Sequence, residues 1–303
     1  MFYTILFLVL TYLILTQSAV SLHYAFHDFT LWYSKMIPSL LPFMIVSGIM
    51  VRMNLTEHFA KVLHPLLKKL FRCSANMSYG ILMGFLCGFP MGAKVTADLL
   101  KEDKITREQA SFLLAFCNNI GPVYFCTFVI PLLKLREPLP YLIGMYGLPL
   151  LYGFFLRRTV YKSMPSDSNI QRNNTKMPLS LLAAVDESIK AAVQSILMLC
   201  GYMILFNLLN ILPHFLLPDL HKYIAPILEI TGGLSKLGTS LPYYSLCLLP
   251  FGGLSCIAQT NSMINGTGLS IKNYTLHKLI LTALTVIYYF MVIYISCSFF
   301  QNT

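Results

Sequence analysis

Charge is scarce in this chain: 11% of its 303 residues are Asp, Glu, Lys or Arg, whereas 56% are hydrophobic. A soluble domain carries about 25% charged residues, so the composition excludes an ordinary water-facing surface. The mean hydropathy of +0.66 agrees with this conclusion. We therefore expect an integral membrane protein.

The patterns that usually mark catalysis or metal binding are also missing. The seven histidines lack zinc-ligand spacing, the eight cysteines contain no CxxC pair, and there is no phosphate-binding loop or paired nucleophile and base. The cysteines lie in apolar runs, where they are expected to pack as small hydrophobic side chains. The sequence thus argues against an enzyme and predicts no metal and no cofactor.

The net charge of +10 could indicate a nucleic-acid partner, but its distribution argues against one. The lysines and arginines lie between apolar segments, as in the loops of membrane proteins. Segments 52–72, 101–107 and 157–190, which are expected to lie on one side of the membrane, hold 14 of the 22 lysines and arginines. Seven others are expected on the opposite side, and Lys94 within the membrane. We expect the side with 14 to be cytoplasmic.

The alternation of apolar and polar stretches predicts four regions. Residues 1–35 are expected to form an N-terminal transmembrane helix, Met1–Val20, and an interfacial segment rich in aromatic residues. A cleaved signal peptide is the alternative, but the basic start that it requires is absent. Residues 36–158 and 179–303 are expected to form two repeats, joined by a basic cytoplasmic linker at 159–178.

The most informative stretch is residues 88–94, with the sequence Gly-Phe-Pro-Met-Gly-Ala-Lys. Glycine and proline destabilise a helix interior, and broken backbone at membrane depth is tolerated only inside protein or beside a water-filled cavity. We therefore expect residues 78–100 to form a re-entrant hairpin whose tip is half of a solute site. The candidate binding residues here are Gly88, Pro90, Gly92 and Lys94.

Lys94 has two interpretations. A lysine near the bilayer centre is costly and usually faces a cavity or a partner. It could be the counter-charge for an anionic solute, assisted by the backbone amides where the helix restarts after Gly92. Alternatively, it pairs with Asp98, one turn further on, and extends towards the membrane surface. The sequence leaves both interpretations open.

Two further interruptions place polar side chains at membrane depth. Asn118 and Asn119 precede a Gly-Pro pair, and Ser255 and Gln259 follow a second glycine and proline break at 250–253. All four are candidate solute contacts. They could equally satisfy the backbone groups that each break frees.

The two breaks in the hairpin regions indicate an internal repeat. A shift of 164 residues places Gly88 on Gly252 and Thr96 on Thr260. The order of features also repeats: an amphipathic surface helix, expected at Glu57–Arg72 in the first half, an interrupted hairpin, and a capped helix, which is expected to start at Thr106 in the first half. With the orientation inferred from charge, the second hairpin would enter from the opposite face, which predicts two inverted repeats with a pocket between them.

These motifs resemble a known family. Residues 88–94 resemble the first signature of the nucleoside-recognition (Gate) membrane proteins, in particular the sporulation integral membrane protein family of YlbJ and stage V sporulation protein VV. Residues 252–259 look like the second signature, although this family often has His where this chain has Ile257. The resemblance covers about Trp32 to Ile295. It implies an all-α fold similar to the concentrative nucleoside transporters, with two inverted repeats, re-entrant hairpins and broken helices.

The resemblance also implies a function. Proteins of this kind are expected to export dipicolinic acid, a planar dicarboxylate, from the mother cell across the outer forespore membrane during endospore formation. Lys94, helix N-termini and side-chain amides would suit its two carboxylates. A carrier of nucleosides or other neutral solutes and a non-transporting membrane scaffold are the alternatives. The coupling ion and the oligomeric state, a homo-oligomer included, stay open.

Overall fold

The computed structural model describes residues 1–166 and 180–301, and the regular structure within these ranges is helical throughout. Sixteen helices follow one another in the described part of the chain: α1 Phe2–Thr16, α2 Ser18–Arg52, α3 Thr56–Ala60, α4 His64–Phe71, α5 Ala75–Cys87, α6 Met91–Lys101, α7 Arg107–Phe116, α8 Pro122–Leu133, α9 Pro138–Arg158, α10 Leu181–Leu209, α11 Ile211–Leu216, α12 Pro218–Leu228, α13 Ile230–Leu237, α14 Pro242–Leu248, α15 Gly253–Met263 and α16 Ile271–Gln301.

Four helical stretches of the described residues are long and apolar enough to cross a membrane: Ser18–Arg52, Pro138–Arg158, Leu181–Leu216 and Ile271–Val292. A span needs about 20 apolar residues. The prediction of an all-α, multi-pass membrane protein is therefore confirmed. Most of the linker expected at 159–178 lies outside the described residues.

The N-terminal region differs from the prediction. The first helix ends at Thr16 and its 15 residues measure about 22 Å, less than the ~30 Å of a hydrocarbon core. The segment 21–35 was expected to be interfacial and separate from the next span. It is helical instead and runs without a break to Arg52.

Proline explains how this long helix stays continuous. A π-helical turn at Trp32–Met36 ends two residues before Pro38, and similar turns at Phe125–Val129 and Ile143–Gly147 end two residues before Pro131 and Pro149. Proline offers no N–H to the carbonyl four residues earlier. Just before each proline the pattern is π-helical: the N–H groups of Ile37, Ile130 and Leu148 donate to the carbonyls five residues earlier. The helix widens locally rather than ending.

The first hairpin forms where it was predicted. Helices α5 and α6 pack against each other across a turn at Gly88, and their 13 and 11 residues measure only about 20 Å and 17 Å. Neither helix is long enough to cross a membrane by itself, and the re-entrant course of the hairpin stays a prediction. The predicted helix start at Thr106 is also confirmed, because Thr106 and Gln109 form a reciprocal capping box.

In the second half, helices α14 and α15 are separated by a break at Gly252, where the backbone φ is +74°. The hairpin predicted there is wrong, because α14 and α15 do not pack against each other, whereas α12 and α13 do, on either side of Glu229. The shift of 164 residues maps the break at 117–121 onto 281–285. There α16 is an unbroken helix. The inverted relation between the halves stays a prediction.

Two polar segments of the first half differ from their prediction. The amphipathic helix expected at Glu57–Arg72 is two short helices, α3 and α4, separated by a turn before Pro65. Arg157, counted above among the loop cations of the cytoplasmic side, is only 1% exposed. Its guanidinium donates to the carbonyls of Phe71, Arg72 and Met164 at 2.9, 3.2 and 2.7 Å. It therefore holds the end of α4 against α9.

Candidate functional site

A cleft of about 400 Å³ lies where the first hairpin, the break between α7 and α8, the junction of α12 and α13, and helix α15 meet. This volume is within the range of small-molecule sites in proteins. Helices α2 and α10 close its other sides. The residues of its wall that matter most below are Cys87, Phe89, Gly121, Tyr124, Glu229 and Gln259.

The tip of the first hairpin docks directly on the broken backbone of the segment 117–121. The Phe89 N–H donates to the Asn119 carbonyl at 2.6 Å. Gly88 has a φ of +76°, and a Cβ there would lie 2.1 Å from the Gly121 nitrogen. Only glycine permits this approach. The sequence thus places two irregular segments in contact at the edge of the cleft.

Asn118 links this first break to the second half of the chain. Its side-chain oxygen accepts from the Ala93 N–H at 3.2 Å, and its amide nitrogen donates to the hydroxyls of Thr260 and Tyr274, both at 3.0 Å. Both amide protons are thereby used. Of its two predicted roles, satisfying broken backbone is visible in the structure, and solute contact stays a prediction.

Asn119 is similarly engaged. Its amide donates to the Phe116 carbonyl at 2.6 Å, which is one of the carbonyls freed at the end of α7. Its oxygen accepts from Lys278 at 2.8 Å. Both asparagines therefore support the broken backbone behind the cleft wall, and neither lines the cleft itself.

Lys94 lies away from the cleft lining and has a partner. Its side chain is largely buried, and Nζ lies 3.2 Å from Oδ2 of Asp98, one turn along α6. This geometry agrees with the interpretation in which Lys94 pairs with Asp98. A role as counter-charge for a solute stays a prediction.

The other predicted residues lie at different distances from the cleft. Gln259 lines it and donates to the buried Ser255 hydroxyl at 2.9 Å. Pro90 is the N-cap residue of α6, and a Cβ at Gly92 would lie 2.8 Å from the Cys117 carbonyl oxygen. Pro90 and Gly92 therefore shape the tip and its packing, while Gln259 offers polar atoms at the wall.

Lys278, a buried cation directly behind Phe89 of the cleft wall, was not predicted from the sequence, whereas the exposed Lys35 lies in the lining itself. Its side chain is fully buried, it donates to the Asn118 carbonyl as well as to Asn119, and its Nζ lies 4.6 Å from the centre of the Phe89 ring. No carboxylate of the described residues lies within 4 Å of it. The charge distribution of the sequence places Lys278 among the seven cations of the second membrane side, but its side chain is buried within the protein. A single lysine inside the last apolar span was the available signal.

Glu229 was missed as well. It is 2% exposed, lines the cleft, and caps α13 by accepting from the Gly232 N–H at 2.6 Å. It is also the last acidic residue of the sequence. An isolated acid between two apolar helices was the signal that could have identified it.

Comparison with known proteins agrees with the motifs. Residues 33–135, from α2 to the loop after α8, match the family model described as Gate, nucleoside recognition. The chain is 26% identical over 226 residues to the sporulation integral membrane protein YlbJ of Bacillus subtilis (strain 168); this covers 67% of the chain and 54%, about half, of the relative. No solved structure matches. The resemblance inferred from the motifs is thus confirmed: this chain is a membrane protein with a Gate segment, similar to YlbJ.

Proposed function

We propose that this chain is a membrane transporter of a small anionic solute. The observation that carries the proposal is the cleft of about 400 Å³ bounded by the turn of the first hairpin, by the break between α7 and α8 and by the junction of α12 and α13. Transporters bind solutes where discontinuous helices meet near the bilayer midplane. A scaffold would have no need of irregular backbone and polar side chains around such a space.

The preference for an anion rests on Lys278. This buried ammonium has no carboxylate within 4 Å among the described residues, and it lies directly behind Phe89, which lines the cleft. A charge acts strongly across a few ångströms of low-dielectric protein. The part of the cleft next to Phe89 is therefore favourable for a negative group, whereas the part next to Glu229 is not.

The finer proposal is that the solute is dipicolinic acid. Its flat pyridine ring could pack on Phe89 while a carboxylate is held by the field of Lys278 and by the amide of Gln259. The relative is named for sporulation. We therefore propose that this chain acts in sporulation too, moving dipicolinic acid from the mother cell towards the forespore across the outer forespore membrane.

A second candidate is a carrier of nucleosides or other neutral solutes. The family model matched by residues 33–135 is described as nucleoside recognition, and Tyr124, Glu229 and Gln259 in the cleft wall could hydrogen-bond to a sugar or a base. A non-transporting scaffold is a third candidate. Parallel assays with the two solute classes separate the three.

The test uses the purified full chain in liposomes with labelled dipicolinate and labelled uridine as probes. We expect uptake of dipicolinate, and a loss of most of it in Lys278→Met. Uptake of uridine alone would support the neutral carrier. Uptake of neither solute by folded protein would contradict transport of these solutes and favour the scaffold.

The role of Lys94 requires its own pair of variants. If Lys94 is a counter-charge for the solute, Lys94→Met loses dipicolinate uptake and Lys94→Met/Asp98→Met does not recover it. If Lys94 only neutralises Asp98, the double variant recovers uptake, because no unpaired buried carboxylate remains. Insertion and monodispersity of each variant are checked first.

A further inference from the structure

A second buried polar cluster lies directly behind the Glu229 side of the cleft. Three oxygens converge on the open side of Gly232: a Cβ built there would lie 3.2 Å from Asp28 Oδ1, 3.2 Å from Glu229 Oε2 and 3.4 Å from Asn207 Oδ1. Asp28 and Asn207 are fully buried. Two carboxylates and one amide oxygen, from α2, α10 and the start of α13, therefore share one small volume.

One acceptor of this cluster lacks a donor. Asp28 Oδ2 is buried, and no group of the described residues donates a hydrogen bond to it. Asn207 Oδ1 is already used, because the Asn210 amide donates to it at 3.2 Å. Buried acceptors are almost always paired. The cluster is short of at least one hydrogen that it could share.

The charges of Asp28, Glu229 and Lys236 also indicate that the cluster takes up one proton. Among the described residues, Lys236 is the cation that acts on both carboxylates: its Nζ lies 3.5 Å from Asn207 Oδ1 and 3.8 Å from the centre of the Tyr24 ring. With Lys236 charged and both acids ionised, these three groups carry one negative charge. Keeping two neighbouring carboxylates ionised in a buried site costs free energy, which favours protonation of one of them. Uptake of one proton makes the trio neutral.

Other titratable groups face the cluster from neighbouring helices. His27 Nδ1 lies 3.3 Å from Asp28 Oδ1 and is the group best placed to pass a proton from the exposed side of α2. The remaining ones are Tyr24 on α2, Tyr124 on α8, His214 on α11, His221 on α12 and Cys256 on α15. None of these adds a permanent charge to balance Asp28 and Glu229.

We propose that Asp28 and Glu229 jointly hold one exchangeable proton, and that Glu229, which lines the cleft, couples its gain and loss to movement of the solute. The coupling rests on the transport function proposed above; the proton site itself does not. The proton arrives on a carboxylate oxygen from the cleft or through His27 and leaves by the same groups. A metal ion is disfavoured, because no set of three or more His, Cys, Asp or Glu in the described residues is placed to hold one.

The proton site is tested without transport. Infrared spectra of the purified full chain at neutral pH should show the C=O stretch of a buried carboxylic acid. This band should disappear in Glu229→Gln or Asp28→Asn and persist in the control Asp219→Asn, which removes an exposed carboxylate on α12. A wild-type spectrum without this band from neutral to mildly acidic pH, or a band that both cluster variants retain, would overturn the site.

The coupling is tested by dipicolinate uptake in liposomes with and without a pH gradient. We expect the gradient to raise wild-type uptake at least fivefold, and Glu229→Gln to lose this dependence while Asp219→Asn keeps it. Uptake by the wild type that follows a sodium gradient instead would overturn proton coupling while leaving transport intact. Absence of uptake by the wild type would contradict the transport function and with it the coupling, whereas the infrared result would still decide the site.

Discussion

The Nζ of Lys278 lies 2.8 Å from Oδ1 of Asn119 and also donates to the backbone carbonyl of Asn118. Helix α7 ends at Phe116, so the carbonyls after it have lost their helical donors. The ammonium replaces those donors, and its positive charge suits a helix C-terminus. A lysine from the last helix thus stabilises a break 160 residues earlier in the chain.

The first prediction concerns this contact. Lys278→Met should lower the free energy of unfolding by about 1–3 kcal/mol, because it leaves two buried oxygens without a donor. Heat-induced unfolding in detergent measures the change. Lys272→Met is the control, since Lys272 is exposed on the same helix. Equal stability of the two variants would contradict the role of Lys278 at the break.

The second prediction concerns the contact between hairpin tip and broken helix. Gly88→Ala should cost at least about 1–3 kcal/mol from backbone strain alone, and its Cβ would also collide with the Gly121 nitrogen. We expect little monodisperse protein in size-exclusion chromatography. Gly201→Ala is the matched control: a Cβ there meets no atom within 4 Å on the exposed side of α10. Normal yields of Gly88→Ala would show that the tip is not constrained as described.

The third prediction concerns Arg157. Arg157→Lys keeps the charge, but an ammonium has no planar fork to reach the carbonyls of Phe71, Arg72 and Met164 together. We expect a loss of about 1–3 kcal/mol for each carbonyl left without a donor, and faster proteolysis near residue 72. Arg136→Lys, at an exposed position, should change neither measurement. Indistinguishable proteolysis of the two variants would count against the clamp.

The helix breaks could be predicted from the sequence, but the side chains that contact them from distant helices could not. Glycine and proline interrupt a helix through local backbone chemistry, so the turns at Gly88 and Gly252 and the cap at Thr106 could be located from neighbouring residues alone. Lys278 and Glu229 act across contacts between helices far apart in sequence, and no local pattern encodes such contacts. The same holds for the continuity of α2, where local polarity suggested a boundary that packing against α10 overrides.

The last prediction concerns the wall of the cleft. Gln259 lines it and uses one amide proton on Ser255, which leaves its other polar atoms for a solute. A hydrogen bond to a charged group contributes about 1.5–3 kcal/mol, so Gln259→Leu should raise the KM for dipicolinate uptake about tenfold or more. Asn261→Leu, on the exposed side of the same helix, is the control and should leave KM unchanged. An unchanged KM in Gln259→Leu would place the anion elsewhere in the cleft, nearer Phe89 and Lys278.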